Sequence, residues 1–136
     1  TDFEHRTFAD ELQRCQRYYE KSFNQGTAPA IGVSGNGANN DIGSISYTSN
    51  NVRTPSVKYS VAKRAAPTVT QYHPGGYGTP GSNNKPAIYI GGSWSSPSAV
   101  AVQSLESYFF LDLTATGAST GSGYLVGLGW SSDAEL

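Results

Sequence analysis

Only five acids follow residue 20: Asp41, Glu106, Asp112, Asp133 and Glu135. Among them, Glu106 and Asp112 are the pair whose types could do general acid and base work at a glycosidic bond. They lie six residues apart in one extended stretch, so strand rise separates them by roughly 20 Å. That is too far for either glycosidase geometry, and Asp112 in YFFLDL reads as a hydrogen-bonded or interface acid. The single cysteine, Cys15, would need a base to act as a nucleophile. The two histidines, His5 and His73, have no sequence context that pairs them with it, and Cys15 reads as a small buried hydrophobe. Asn39, Asn40 and Asp41 carry the oxygen ligands that calcium takes, but such a run is first of all turn chemistry. No HExxH, phosphate-binding loop or paired Cys/His set is present. The expectation is a protein that is not an enzyme, with no catalytic residues, no metal and no cofactor.

The residues with the best claim to a ligand are aromatic. Tyr72, His73, Tyr77 and Trp94 flank the two longest predicted loops, one over residues 73–84 and one over Gly91–Ser98. Rings on such loops can stack against the apolar face of a sugar while Asn or Asp bonds its hydroxyls. Tyr72, Tyr77 and Trp94 are therefore the candidate glycan contacts. The competing reading packs Trp94 and Tyr72 under their own loops or against a neighbouring subunit.

The elements that would position these residues follow from periodicity. Phe8, Leu12, Cys15 and Tyr19 are spaced four, three and four apart, which predicts a helix over Thr7–Phe23 with one apolar stripe. Thr7 is a fitting N-cap with Asp10 at N3, and Gly26 supplies a stop. Such a helix would lie on a sheet or at a subunit boundary, or form an oligomer seam itself. Phe8, Leu12, Arg17 and Tyr19 are the interface candidates. Arg17 would bridge to Asp112 or to the acids of the 133–136 terminus.

After residue 26 the period falls to two. Strands are predicted at Ala30–Ser34, Ile42–Thr48, Ser56–Ala62, Thr68–Tyr72, Ala87–Ile90, Ala99–Val102, Tyr108–Thr116 and Tyr124–Trp130. Ile45 and Tyr47 share one face, and Val57, Tyr59 and Val61 point inward. Phe109, Leu111 and Leu113 share a face, as do Tyr124, Val126, Leu128 and Trp130. Gly127 and Gly129 lie opposite, where another backbone or sheet could approach. This pattern predicts an all-β, jelly-roll-like β-sandwich preceded by one short N-terminal helix. The division is a helical adaptor over residues 1–26 and a sandwich over residues 27–136.

Composition excludes several partners. Charged residues are 14%, against roughly 25% in soluble proteins generally. Nine of the nineteen formal charges precede residue 22, and net charge is −1. No basic footprint exists for nucleic acid or an anionic membrane, and no apolar run approaches the roughly 18 residues of a membrane span. The chain has no methionine, position 1 included. This predicts processing or, the reading taken here, a piece of a longer polypeptide entered through TDFEHR.

FADELQRCQRYYEKSF, KRAAPTVTQY at Lys63–Tyr72 and the closing WSSDAEL resemble the C-terminal β-domain of many tailed-bacteriophage virion proteins. That family carries an L-x-x-C-Q-R-Y-Y-x-K helix, matched by Leu12, Cys15, Gln16, Arg17, Tyr18, Tyr19 and Lys21. Its M-R-A-A-P-T-V-T strand is matched by Arg64–Thr70, with Lys63 in place of the usual Met, a charge placed at an edge or interface. Its D-A-E-L terminus is matched by Asp133–Leu136. The matches run in the family's order along nearly the whole chain, apart from the middle with its PGGYGTPG loop. The resemblance implies a structural, non-enzymatic virion module, homotrimeric, at the end of a tail fibre. Its partners would be other virion proteins and host surface polysaccharide. Two alternatives stand beside this: a capsid decoration or cement protein that binds only virion proteins, and a carbohydrate-binding module attached to an enzyme.

Overall fold

The computed structural model describes residues 7–33, 40–78 and 84–135. Among these residues one helix, α1 (Phe8–Gln16), precedes ten strands. They are β1 (Tyr19–Lys21), β2 (Asn40–Thr48), β3 (Asn51–Arg53), β4 (Val57–Lys58), β5 (Thr68–Tyr72), β6 (Ala87–Ile90), β7 (Ser93–Ser95), β8 (Ala99–Ser104), β9 (Tyr108–Thr114) and β10 (Gly123–Asp133). All described pairings are antiparallel. The expected all-β, sandwich-like fold with one short N-terminal helix is the fold observed.

The long strand β10 joins two layers. Its first half, Gly123–Leu128, lies between β2 and β6. Its second half, Gly129–Asp133, lies between β5 and β1. Beyond β2 the sheet continues through β3 to β9, with β8 on the far side of β9, and beyond β6 it ends at β7. The inner face carries Val52, Ile88, Phe109, Leu111, Leu113, Val126 and Leu128, all essentially without exposure. Trp130 closes the sheet on itself, with its ring 5.1 Å from Phe109 and 5.9 Å from Tyr59 in edge-to-face geometry. Fully burying one large apolar side chain stabilises by about 1.5–3 kcal/mol, so this cluster dominates the folded state.

The N-terminal segment departs from expectation. Thr7 does cap the helix, its hydroxyl accepting from the Asp10 amide at 3.3 Å and donating to the Asp10 carboxylate at 2.7 Å. The helix nevertheless stops at Gln16 rather than Phe23. Tyr19–Lys21 gain more as strand β1, where Tyr19 opposes Asp133 and Lys21 opposes Ser131. Phe23 is buried and meets the Tyr72 ring edge-on at 5.5 Å. The segment assigned to an adaptor over residues 1–26 thus contributes a strand and a core residue to the sheet. Cys15 is exposed, not buried, and α1 has no buried residue. Phe8, at 76% exposure, and Leu12, Arg17 and Tyr19 all face solvent.

Arg17 has no ion pair among the described residues; its carbonyl instead accepts from the Arg64 amide at 3.1 Å. The bridge to the N-terminal segment is made by Lys63, which is neither at an edge nor exposed. Its ammonium is buried, donating to Glu20 Oε2 at 2.8 Å and to the Gln16 carbonyl at 2.5 Å, and lying 4.8 Å from the Tyr59 ring centroid. Glu20 also accepts from the Ser60 amide and hydroxyl.

Two further strand expectations change. Residues 28–33 form no strand; a turn occupies Ile31–Gly32, with Gly32 at φ 76°, and Ser34 lies outside the described residues. Trp94 sits in a strand, not a loop. Gly91 and Gly92, at φ 62° and 84°, make a two-residue turn between Ile90 and Ser93, the hairpin connection whose twist matches its strands.

Candidate functional site

Side chains alternate across a strand, so each strand that feeds the core also presents an opposite face. On β2 that face carries Asp41, Gly43, Ile45 and Tyr47, while the inner positions hold Ser44 and Ser46. The Ser46 hydroxyl donates to the carbonyls of Thr48 at 2.7 Å and Asn51 at 3.0 Å, which satisfies it inside. Ile45 and Tyr47 do share a face, and it is the solvent face.

Cross-strand register assembles this face into rows. Trp94 opposes Tyr89, Tyr89 opposes Leu125, and Leu125 opposes Gly43. In the adjacent row Gly123 opposes Ile45, Ile45 opposes Arg53, and Arg53 opposes Asp112. Ile45 is 56% exposed, Tyr47 46%, Leu125 46% and Tyr89 40%. Among them lies an open groove of about 850 Å³, also lined by Thr54 and Pro55.

The aromatic residues of the row interlock. Trp94 has the Tyr77 ring 4.2 Å away at 67° and the Tyr89 ring 5.2 Å away at 61°. The Tyr77 ring packs against Gly127, where a Cβ would sit 2.8 Å from its Cδ1 and 3.3 Å from Pro74 Cγ. The close approach expected at Gly127 is therefore made by a ring rather than by another backbone. Burial, together with the hydrogen bond from its hydroxyl to Asp41, pushes the Tyr77 phenol up to about 12.

At the other end, Arg53 and Asp112 form a two-pronged pair. Nε reaches Oδ1 at 2.7 Å and Nη2 reaches Oδ2 at 2.9 Å. The guanidinium carbon is 4.9 Å from the Tyr47 centroid and 5.1 Å from that of Phe110. The bond to Asp112 raises the Arg53 pKa further above its usual range.

Of the three candidate glycan contacts, the structure brings Tyr77 and Trp94 together and leaves Tyr72 apart. Tyr72 packs on Phe23, and its hydroxyl lies 3.2 Å from Ser131 Oγ. His73 is buried, its Nδ1 2.9 Å from the Pro74 carbonyl. Sequence reasoning missed Tyr89, Leu125 and Arg53. The Gly91-Gly92 signal, taken as a two-residue hairpin turn, would have paired Trp94 with Tyr89. Nothing in the sequence marks Arg53.

Glu106 and Asp112 are not brought together. Asp112 is held by Arg53, and Glu106 lies in the exposed β8–β9 turn. Among the described residues no group of three His, Cys, Asp or Glu side chains could hold a metal ion. Asn39 lies outside the described residues, Asn40 begins β2, and Asp41 serves Tyr77. No described helix is long and apolar enough to cross a membrane. No protein-family model, curated protein or solved structure matches this chain.

Proposed function

We propose that this chain is a non-enzymatic structural and recognition module of a bacteriophage virion. In this reading it is the C-terminal part of a homotrimeric fibre that contacts host surface glycans through its outer sheet face. One observation carries the recognition role: Tyr89, Trp94 and Tyr47 stand on one open, weakly charged face beside a groove lined almost wholly by apolar atoms. Rings offered to solvent on a rigid sheet suit the C–H face of a sugar, and ordering them costs little because the strands already hold them. The virion assignment rests on the resemblance of the α1 and Lys63–Tyr72 stretches to phage virion domains. The exposed Phe8, Leu12 and Tyr19 then supply apolar surface for a threefold boundary.

A glycan array probed with the purified chain tests the recognition role, with Trp94→Ala as control. Binding to host surface polysaccharide that Trp94→Ala abolishes is the expected result. Light scattering should give three times the monomer mass at micromolar concentration, and a stable monomer would argue against the fibre assembly. Ile45 and Leu125 favour a second reading, because exposed aliphatic side chains suit a protein partner better than a sugar. In that reading the face docks on another virion protein, as in a decoration or cement protein. Silence on every glycan, with co-purification on phage heads, would decide for it.

A further inference from the structure

Resting on the glycan reading above, we propose that the groove selects uncharged sugar chains, and that the Arg53–Asp112 pair is its specificity-determining group. The groove exists because two outer-face positions are glycine. A Cβ on Gly43 would meet nothing within 4 Å, and one on Gly123 would meet only the Ser44 carbonyl at 3.8 Å. The floor is open, and Ile45, Tyr47, Tyr89 and Leu125 rise around it. Such walls take the C–H face of a pyranose and leave its hydroxyls toward the rim.

Charge decides what kind of sugar. Arg53 is the one charged residue lining the groove among the described residues, and Asp112 already neutralises it through two bonds. A guanidinium carries five N–H donors, and this pairing leaves the Nη1 pair free of Asp112. Contact with the Tyr47 and Phe110 rings fixes the fork in place. A sugar hydroxyl can accept from Nη1 and donate to a remaining lone pair of Asp112, so neighbouring hydroxyls are read by both partners at once. An anionic sugar has no such fit. Its carboxylate must displace Asp112 or sit beside it, and like charges at hydrogen-bond range are disfavoured.

Calorimetry on the full chain, with neutral glucose, mannose and galactose oligosaccharides against oligogalacturonate and oligosialic acid, tests this. At least one neutral series should bind, with affinity changing less than about twofold between about 50 and 500 mM salt, since no net charge is there to screen. The anionic series should bind at least about tenfold more weakly. Gly43→Val puts a side chain on the floor, its Cβ clear of every other atom by 4 Å, and should abolish neutral binding while the melting temperature holds. Arg53→Lys keeps the charge, loses the fork and should weaken neutral binding about tenfold. Tighter binding of the anionic series overturns the selectivity, neutral binding that survives Gly43→Val overturns the groove as its site, and either leaves glycan recognition standing. No binding by either series overturns both.

Discussion

The β2–β10–β6 sheet has two faces made by the same strands, and they obey different rules. The inner face buries Ile88, Val126 and Leu128 with no exposure and tolerates Ser44 and Ser46 among them. The outer face leaves Ile45, Leu125, Tyr47 and Tyr89 between 40% and 56% exposed and sets glycine at Gly43 and Gly123. Apolar character therefore does not separate the faces of β2. Size and satisfaction do: the inner serines are small and bond the backbone of their own strand, Ser44 to the Ile42 carbonyl and Ser46 to that of Thr48. Large side chains that the core has no room for appear outside, where they serve a surface rather than the fold.

The sharpest test of the inner face is Phe109→Ala. It removes the ring that Trp130 and Tyr59 pack against and should cost about 3–5 kcal/mol in urea unfolding. A loss below about 1 kcal/mol would mean that the face is not the core. Glu20→Ala comes next, because it leaves the buried Lys63 ammonium with the Gln16 carbonyl and the Tyr59 ring but no counter-charge. About 3 kcal/mol is expected, the low end for breaking a buried pair, since Glu20 is itself partly exposed. Restoring an apolar residue with Lys63→Met in the same chain should recover most of that loss.

Gly127→Ala probes the junction of the two faces. The new methyl meets Tyr77 at 2.8 Å, so about 1–3 kcal/mol should be lost, with a change in Trp94 fluorescence as the ring pair separates. An unchanged emission spectrum would show that Tyr77 does not rest on this strand. The Tyr77 hydroxyl gives a smaller, pH-dependent signal. Its pKa is raised in the folded chain, so the stability it adds is fully present below the ordinary tyrosine value near 10. That contribution is lost as pH rises through about 12. Burial raises Tyr19 and Tyr59 as well, so absorbance titration should show several phenols ionising late, and Tyr77→Phe should remove one phenol from that late signal. The smallest effect belongs to the outer face: Ile45→Ser should shift stability by no more than about 0.5 kcal/mol. A large loss there would make the outer face part of the fold and remove the contrast with Phe109.

Much of this architecture is legible in the residues. Strict alternation in YFFLDLT identifies Phe109, Leu111 and Leu113 as one buried face, and Thr68–Tyr72 is found with both ends right. The helix is harder. QRYYEKSF continues a 3.6-residue pattern well enough, but its last residues exchange that pattern for strand bonds with β10, which lies more than a hundred residues away. No local signal carries that competition. The same holds for Lys63. A lone lysine reads as an exposed charge, and only the approach of Glu20 and Gln16 makes its burial tolerable.

The candidate site divides in the same way. The chain by itself determined that strands dominate the fold and that one helix begins at a Thr7 cap, and it marked Tyr77 and Trp94 as candidate glycan contacts. Those are short-range properties, set by a period of two, by capping geometry and by turn residues. Tertiary structure alone decided that Tyr72 leaves the pair, that Tyr89 joins it, that Ile45 faces outward and that Arg53 meets Asp112. Each of those depends on which strand lies beside which and in what register, and a one-residue slip in register would reverse every one of them.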